Sequence, residues 1–368
     1  MSTKTGRNIK ADIIRGFAII TVVTGHCIQH GNGLAFYEGS LYWSDKLYQF
    51  IYSFHMPLFM LLAGWFAYFS MKKLEGDRKK QWRFLGKRVI TYVTPIFLWT
   101  VFEFVRGYLL NKKLGNETIG FPEIIPQFLT YFITNLWFLW AVLVCLFIVF
   151  VMHFYLKDNV ILYALGFLVL FVLPDGYNLG VYKFLMPYYI GAFYVNMYKD
   201  RLAATSVGKK TAELYGNKRW LYLVIIGIIF AGLFVFYNER AFIYLSGYKL
   251  TTDTWYKQLI VDIYRMIIGF AGSGFFIILF DTLAETFKSY KWPVLTTFGR
   301  NSLGVYILQG YFILIGMVRI TNDLEPDTVR VLVESICICA ISLITTMILD
   351  KIPIIRCLVG KPFLKGEK

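Results

Sequence analysis

Apolar runs of about 17 to 23 residues recur along the chain, set apart by short charged or turn-forming stretches. The hydrocarbon core of a bilayer, about 30 Å thick, takes roughly 20 helical residues to cross. The pattern predicts spanning helices over residues 11–30, 50–70, 89–110, 130–156, 160–174, 181–198, 220–238, 258–281, 300–320 and 329–350. Pro174 and Asp175 mark a turn between the fifth and sixth. The loops reach only about 20 residues, too short for a soluble domain. The expectation is an all-α, polytopic membrane helix bundle of about ten transmembrane helices, with residues 1–368 forming one integral membrane domain.

Composition strengthens this picture. The chain is 57% hydrophobic and 17% charged, against about 45–50% and about 25% in soluble domains. With the N-terminus in the cytoplasm, 26 of the 38 Lys and Arg residues fall on the inner side and nine on the outer. Arg15, Arg106 and Arg265 remain within helices. The positive-inside rule then predicts that both termini are cytoplasmic. It also accounts for the net charge of +15 without a nucleic-acid partner. Lys4, Arg7 and Lys10 before the first apolar run resemble a signal peptide, but no small-residue cleavage site follows cleanly, so a retained first helix is expected. The five cysteines lie in or at the ends of apolar runs, and Cys337 and Cys339 lack a second pair. Neither disulfides nor a metal site is expected.

Ionisable residues at membrane depth are costly and mark functional interiors. In the first helix Asp12 and Arg15 stand three apart and can pair. Arg15 and His26 are eleven apart, which puts them on one face about 16 Å apart. His55 opens the second helix, Glu103 and Arg106 end the third, and Asp262 and Arg265 open the eighth. Topology brings His26, His55 and these pairs to similar depth in the outer half. Glu103–Arg106 and Asp262–Arg265 read equally as ion pairs that lock helices, and His55 as a residue that supports the kink at Pro57.

At this point the residues resemble a known family. Asp12-x-x-Arg15-Gly16-Phe17-Ala18 followed by Gly25-His26 is similar to the opening of membrane acyltransferase family 3, with its Arg-x10-His signature. Phe54-His55-Met56-Pro57-Leu58-Phe59 and Leu62-Ala63-Gly64-Trp65 resemble its second-helix motif, with Ala63 where a serine usually stands. The histidine version resembles the fucose 4-O-acetylase-like, polysaccharide O-acetyltransferase branch. Arg83 to Pro95 resembles the basic opening of the third helix, Asn135-Leu136-Trp137-Phe138-Leu139 the fourth-helix motif, and Gly299-Arg300-Asn301-Ser302-Leu303 with Tyr306 the late Asn-Ser-Leu motif. Gln309 stands where the family often has a histidine.

The resemblance implies acyl-CoA, usually acetyl-CoA, as donor and a carbohydrate hydroxyl as acceptor, in the cytoplasmic membrane of a bacterium. Arg83, Lys87 and Arg88 stand at the cytoplasmic mouth of the third helix and, with Arg15, suit the phosphates or thioester region of the donor. Histidine has the unperturbed pKa, about 6.5, that a base near neutrality needs. His26 is the candidate base, with Arg15, Asp12 and His55 beside it. Glu103, Arg106, Trp137, Asp262, Arg265, Asn301 and Gln309 are candidates for the acceptor site. Direct attack on the thioester and an acyl-histidine intermediate both fit. The alternative class is a secondary transporter or flippase of a glycan or other polar solute, but no matching inverted halves are evident. Glycine-rich faces such as Gly269 to Gly274 can pack helices within one chain or between chains, so a homo-oligomer is compatible with the sequence.

Overall fold

The computed structural model describes residues 8–31, 45–115, 120–173, 176–246, 255–288, 290–313 and 327–362. The described residues form α-helices joined by turns and short 3₁₀ segments. The helices are α1 (Ile9–Gly31), α2 (Lys46–Lys72), α3 (Arg78–Lys113), α4 (Phe121–Thr134), α5 (Trp137–Phe154), α6 (Val160–Val172), α7 (Leu179–Ala204), α8 (Ser206–Asn217), α9 (Arg219–Val235), α10 (Ile243–Ser246), α11 (Trp255–Thr286), α12 (Pro293–Phe312) and α13 (Asp327–Lys351).

Among the described residues, six helices (α1, α2, α3, α5, α11 and α13) are each long and apolar enough to cross a bilayer. A seventh crossing results if the bent pair α8–α9 is one span. The other predicted segments fall on α6, which has 13 residues, and on α7 and α12, which carry more polar residues. Residues 314–320 of the ninth predicted segment lie outside the described residues. The outer surface is studded with exposed Ile90, Leu109, Val160, Ile228 and Ile354. The centre instead holds buried Asp12, His55, Asp262, Arg265 and Gln309. This inside-out distribution is that of a chain whose solvent is lipid.

Two predicted features are corrected. The fourth predicted span, 130–156, is not one helix: it breaks between α4 and α5. Asn135 is extended, with its Nδ2 donating to Thr100 Oγ1 (3.2 Å), and Leu136 adopts a left-handed conformation, φ 47° and ψ 40°. The connection between the predicted spans 181–198 and 220–238 is not a loop throughout: it holds the polar helix α8, set at 98° to α9. Tyr215 and Arg219 at this elbow reach Asp281 (2.8 and 3.7 Å), and Lys10 pairs with Asp281 and Glu285 at 2.5 and 2.6 Å. This network ties the start of α1 to the end of α11.

Helix starts follow local chemistry. Asp45 and Asp77 cap α2 and α3 by accepting from the Tyr48 and Lys80 amides. Between helices, small residues set the spacing, as expected where lipid removes the hydrophobic drive. A Cβ on Gly16 would lie 1.9 Å from the Leu295 carbonyl oxygen, and one on Gly299 would lie 1.8 Å from that of Asp12. The α1 and α12 backbones therefore touch at Gly16 and Gly299. His26 of α1 and Gln309 of α12 meet further along, so the two helices run parallel. Phe17, Phe54, Phe276 and Phe280 fill the space between α1, α2 and α11.

Candidate active site

Helices α1, α2, α3, α5, α7 and α12 enclose a cavity of about 220 Å³. Its basic end is formed by Arg15 and Arg88, with Ser70 and Ser302 on the wall. The Arg15 guanidinium lies 4.3 Å from the Phe66 ring centre and 3.9 Å from Asp12, and Arg88 lies 5.2 Å from the Phe84 ring centre. An aromatic face helps to hold each cation in place. Asp12 is buried and also faces Arg300 at 3.7 Å. From this end the wall becomes apolar, through Val22, Met56, Phe59 and Leu139, and reaches Tyr306.

One turn beyond Val22 and Tyr306 stands the pair that the sequence placed on separate helices. His26 Nδ1 lies 2.9 Å from Gln309 Oε1. With the amide so oriented, the imidazole donates from Nδ1 and keeps a lone pair on Nε2. Gln309 is buried, whereas His26 retains some exposure. His55 is buried behind it, its Nδ1 2.7 Å from the Ile51 carbonyl oxygen. A carbonyl can only accept, so that nitrogen of His55 carries a proton and is engaged. Tyr52 packs its ring edge-on to His55, with centroids 4.6 Å apart, and donates to Gln29 at 3.2 Å.

The remaining candidates divide clearly. Arg83 and Lys87 are exposed on α3 and do not line the cavity, whereas Arg88, on another face of the same helix, does. Arg106 is 2.8 Å from Glu103, and Arg265 is 2.9 Å from Asp262 and donates to the Arg240 carbonyl at 2.8 Å. These four side chains thus meet as i,i+3 pairs. Asn301 donates to the Thr297 carbonyl of its own helix, and its neighbour Ser302 faces the cavity instead. Trp137 packs against Tyr244 of α10.

Sequence reasoning missed Ser302 as a wall residue, along with Tyr52, Tyr244 and Gln29. A signal for the first was present: Ser302, Tyr306 and Gln309 follow an i, i+4, i+7 stripe, on which Asn301 does not lie. Tyr244 had no such signal, because it sits outside the long apolar runs.

Comparison with known proteins adds an independent observation. The family described as "Acyltransferase domain" matches residues 8–351. The nodulation protein NolL of Sinorhizobium fredii is 30% identical over 139 residues, 37% of this chain and 34% of that protein. The protein of the same name from Mesorhizobium japonicum is 20% identical over 240 residues, 65% of this chain and 58% of its own length. The matches thus span between about a third and three fifths of these relatives. No solved structure matches.

Proposed function

Because the chain belongs to this acyltransferase family, we propose that it is a multi-pass enzyme of the bacterial cytoplasmic membrane that moves an acyl group, with acetyl the first choice, from acyl-CoA to a carbohydrate hydroxyl. The observation that carries this reading is the cavity itself, which runs from two guanidiniums to within a turn of a histidine that retains a lone pair. The donor's phosphates suit Arg15 and Arg88, and its uncharged pantetheine arm suits the largely apolar wall between Val22 and Leu139.

At the far end, His26 Nε2 accepts the proton of the acceptor hydroxyl as that oxygen attacks the thioester carbon. The C–S bond then breaks, and the proton on His26 passes to the departing CoA sulfur. Gln309 holds the imidazole by Nδ1, so that Nε2 faces the reaction. The Tyr306 hydroxyl accepts from the Phe138 amide at 3.4 Å. Its own proton is available to the developing oxyanion. His55 positions Tyr52 and the wall behind His26 rather than moving protons.

The test is release of free CoA from acetyl-CoA by detergent-purified protein, with a panel of glycans and His26→Ala alongside. Release that rises with a glycan and needs His26 is the expected result. Full release by the His26→Ala protein would remove the catalytic role. Isotope uptake into vesicles without consumption of acyl-CoA would favour transport instead.

A further inference from the structure

Beyond His26, at the end of the bundle opposite Arg15 and Arg88, three rings stand together. Tyr244 of α10 is 5.9 Å from Tyr52 of α2 and 5.9 Å from Trp137 of α5 between ring centres, edge-on to each. We infer that Tyr52, Tyr244 and Trp137 form a bracket for the acceptor, and that the acceptor is an uncharged pyranose ring. This rests on the acyl-transfer reading above.

Three observations carry it. Tyr244 is 41% exposed and Trp137 partly so. Among the described residues, neither the Tyr244 hydroxyl nor the Trp137 indole N–H has a hydrogen-bond partner. Two partly exposed rings with free donors match a sugar's apolar C–H face and its hydroxyls.

Secondly, the bracket leads inward. Tyr52 bonds to Gln29, one turn along α1 from His26, and its ring meets His55. An aromatic belt at the membrane surface faces lipid, whereas Tyr52 faces the helix that carries the proposed base. Trp137 is placed at the start of α5 by the left-handed Leu136, a conformation that costs about 1–2 kcal/mol.

Thirdly, the surroundings are electrically closed. Arg265 shares a small cavity with Tyr52 and Tyr244. Its charge is met by Asp262 at 2.9 Å, and its Nη2 is taken by the Arg240 carbonyl. Asp262 also accepts from Gln258 at 2.8 Å. A carboxylate or phosphate on the acceptor would find no uncommitted cation among these residues, and its desolvation would go uncompensated. A neutral glycosyl residue meets no such penalty.

The experiment is saturation-transfer NMR on the full-length protein in detergent. The probes are methyl β-glucopyranoside, methyl β-galactopyranoside and the corresponding methyl uronosides. The variants are Trp137→Ala, Tyr244→Ala, Trp137→Phe and Tyr244→Phe, each first checked for a wild-type elution profile. The expected result is transfer to the ring C–H protons of at least one neutral glycoside, weaker by about fivefold or more in both alanine variants and largely kept in the phenylalanine variants. The uronosides should show less transfer than their neutral counterparts. Equal signals across all variants, preference for the uronosides, or no transfer to any neutral glycoside would overturn the bracket.

CoA release measured in parallel separates the two readings. Glycoside binding that needs both rings, without any CoA release, would keep the bracket and remove acyl transfer. Glycan-dependent CoA release with an unchanged acceptor KM in both alanine variants would do the reverse.

Discussion

His26 and Gln309 lie 283 residues apart in the chain and 2.9 Å apart in the fold. One bond of this kind can hold an imidazole in a single orientation, and under the proposed mechanism its value lies in keeping Nε2 directed at the acceptor. Removing it leaves His26 free to rotate and a buried site unfilled. Gln309→Ala should therefore lower kcat by about 5- to 100-fold, the equivalent of about 1–3 kcal/mol. Gln309→His should recover part of the loss, since an imidazole nitrogen can accept at the same place. The check is kcat for CoA release at saturating acyl-CoA, and an unchanged kcat in the alanine variant would refute the positioning role.

His26 itself should matter more. General base catalysis contributes about 10²- to 10⁴-fold, and His26→Ala should lose that amount while still binding acyl-CoA. Isothermal titration with a non-hydrolysable acyl-CoA analogue would separate the two effects. Lost binding with residual turnover would contradict the assignment.

Arg15 and Arg88 line the cavity, whereas Arg83 and Lys87 do not. Arg15→Ala and Arg88→Ala should each raise the KM for acyl-CoA by about 10-fold or more, the loss of one charge-assisted contact. Arg83→Ala should stay within about twofold of wild type, as expected of an exposed cation. Arg15→Lys should restore only part, because the planar guanidinium over Phe66 is not matched by an ammonium. Equal effects at residues 15 and 83 would mean that these charges serve topology alone.

The α1–α12 contact at Gly16 and Gly299 leaves no room for a side chain. Gly16→Ala and Gly299→Ala should each destabilise the protein by about 1–3 kcal/mol or more through overpacking. Their catalytic loss should exceed what fewer folded molecules explain, because the same contact sets where His26 meets Gln309. Thermal unfolding followed by fluorescence-detected gel filtration, together with activity per folded molecule, checks this.

Leu136 occupies the left-handed region at the α4–α5 break. Leu136→Gly should leave thermal stability within about 1 kcal/mol of wild type, because relief of backbone strain offsets lost packing. Leu136→Val should lose more, since a β-branched residue tolerates that conformation least. A melting temperature lower for glycine than for valine would argue that residues 130–156 are one continuous helix after all.

Much of this molecule is legible without coordinates, and the reason is periodicity. Lipid demands long apolar helices, so the runs at residues 11–30 or 258–281 can only be helices. An 11-residue spacing likewise fixes Arg15 and His26 on one face whatever they touch. Ion pairs at i,i+3, such as Asp262–Arg265, are local and follow from the helix alone.

Distance along the chain is where legibility ends. Which of Arg83, Lys87 and Arg88 reaches the cavity depended on the rotation of α3, which apolar periodicity leaves loose in a helix that lipid touches on most sides. That Gln309 meets His26 depended on two glycines fixing the register of α1 against α12. At the break before Leu136, Asn135 bonds to Thr100, a partner on another helix that no local pattern names. Sequence by itself determined the helices, their apolar faces and the chemistry available at membrane depth, since these follow from one residue's spacing to the next. Only the tertiary structure decided which side chains share one cavity, because that depends on how close two backbones can come.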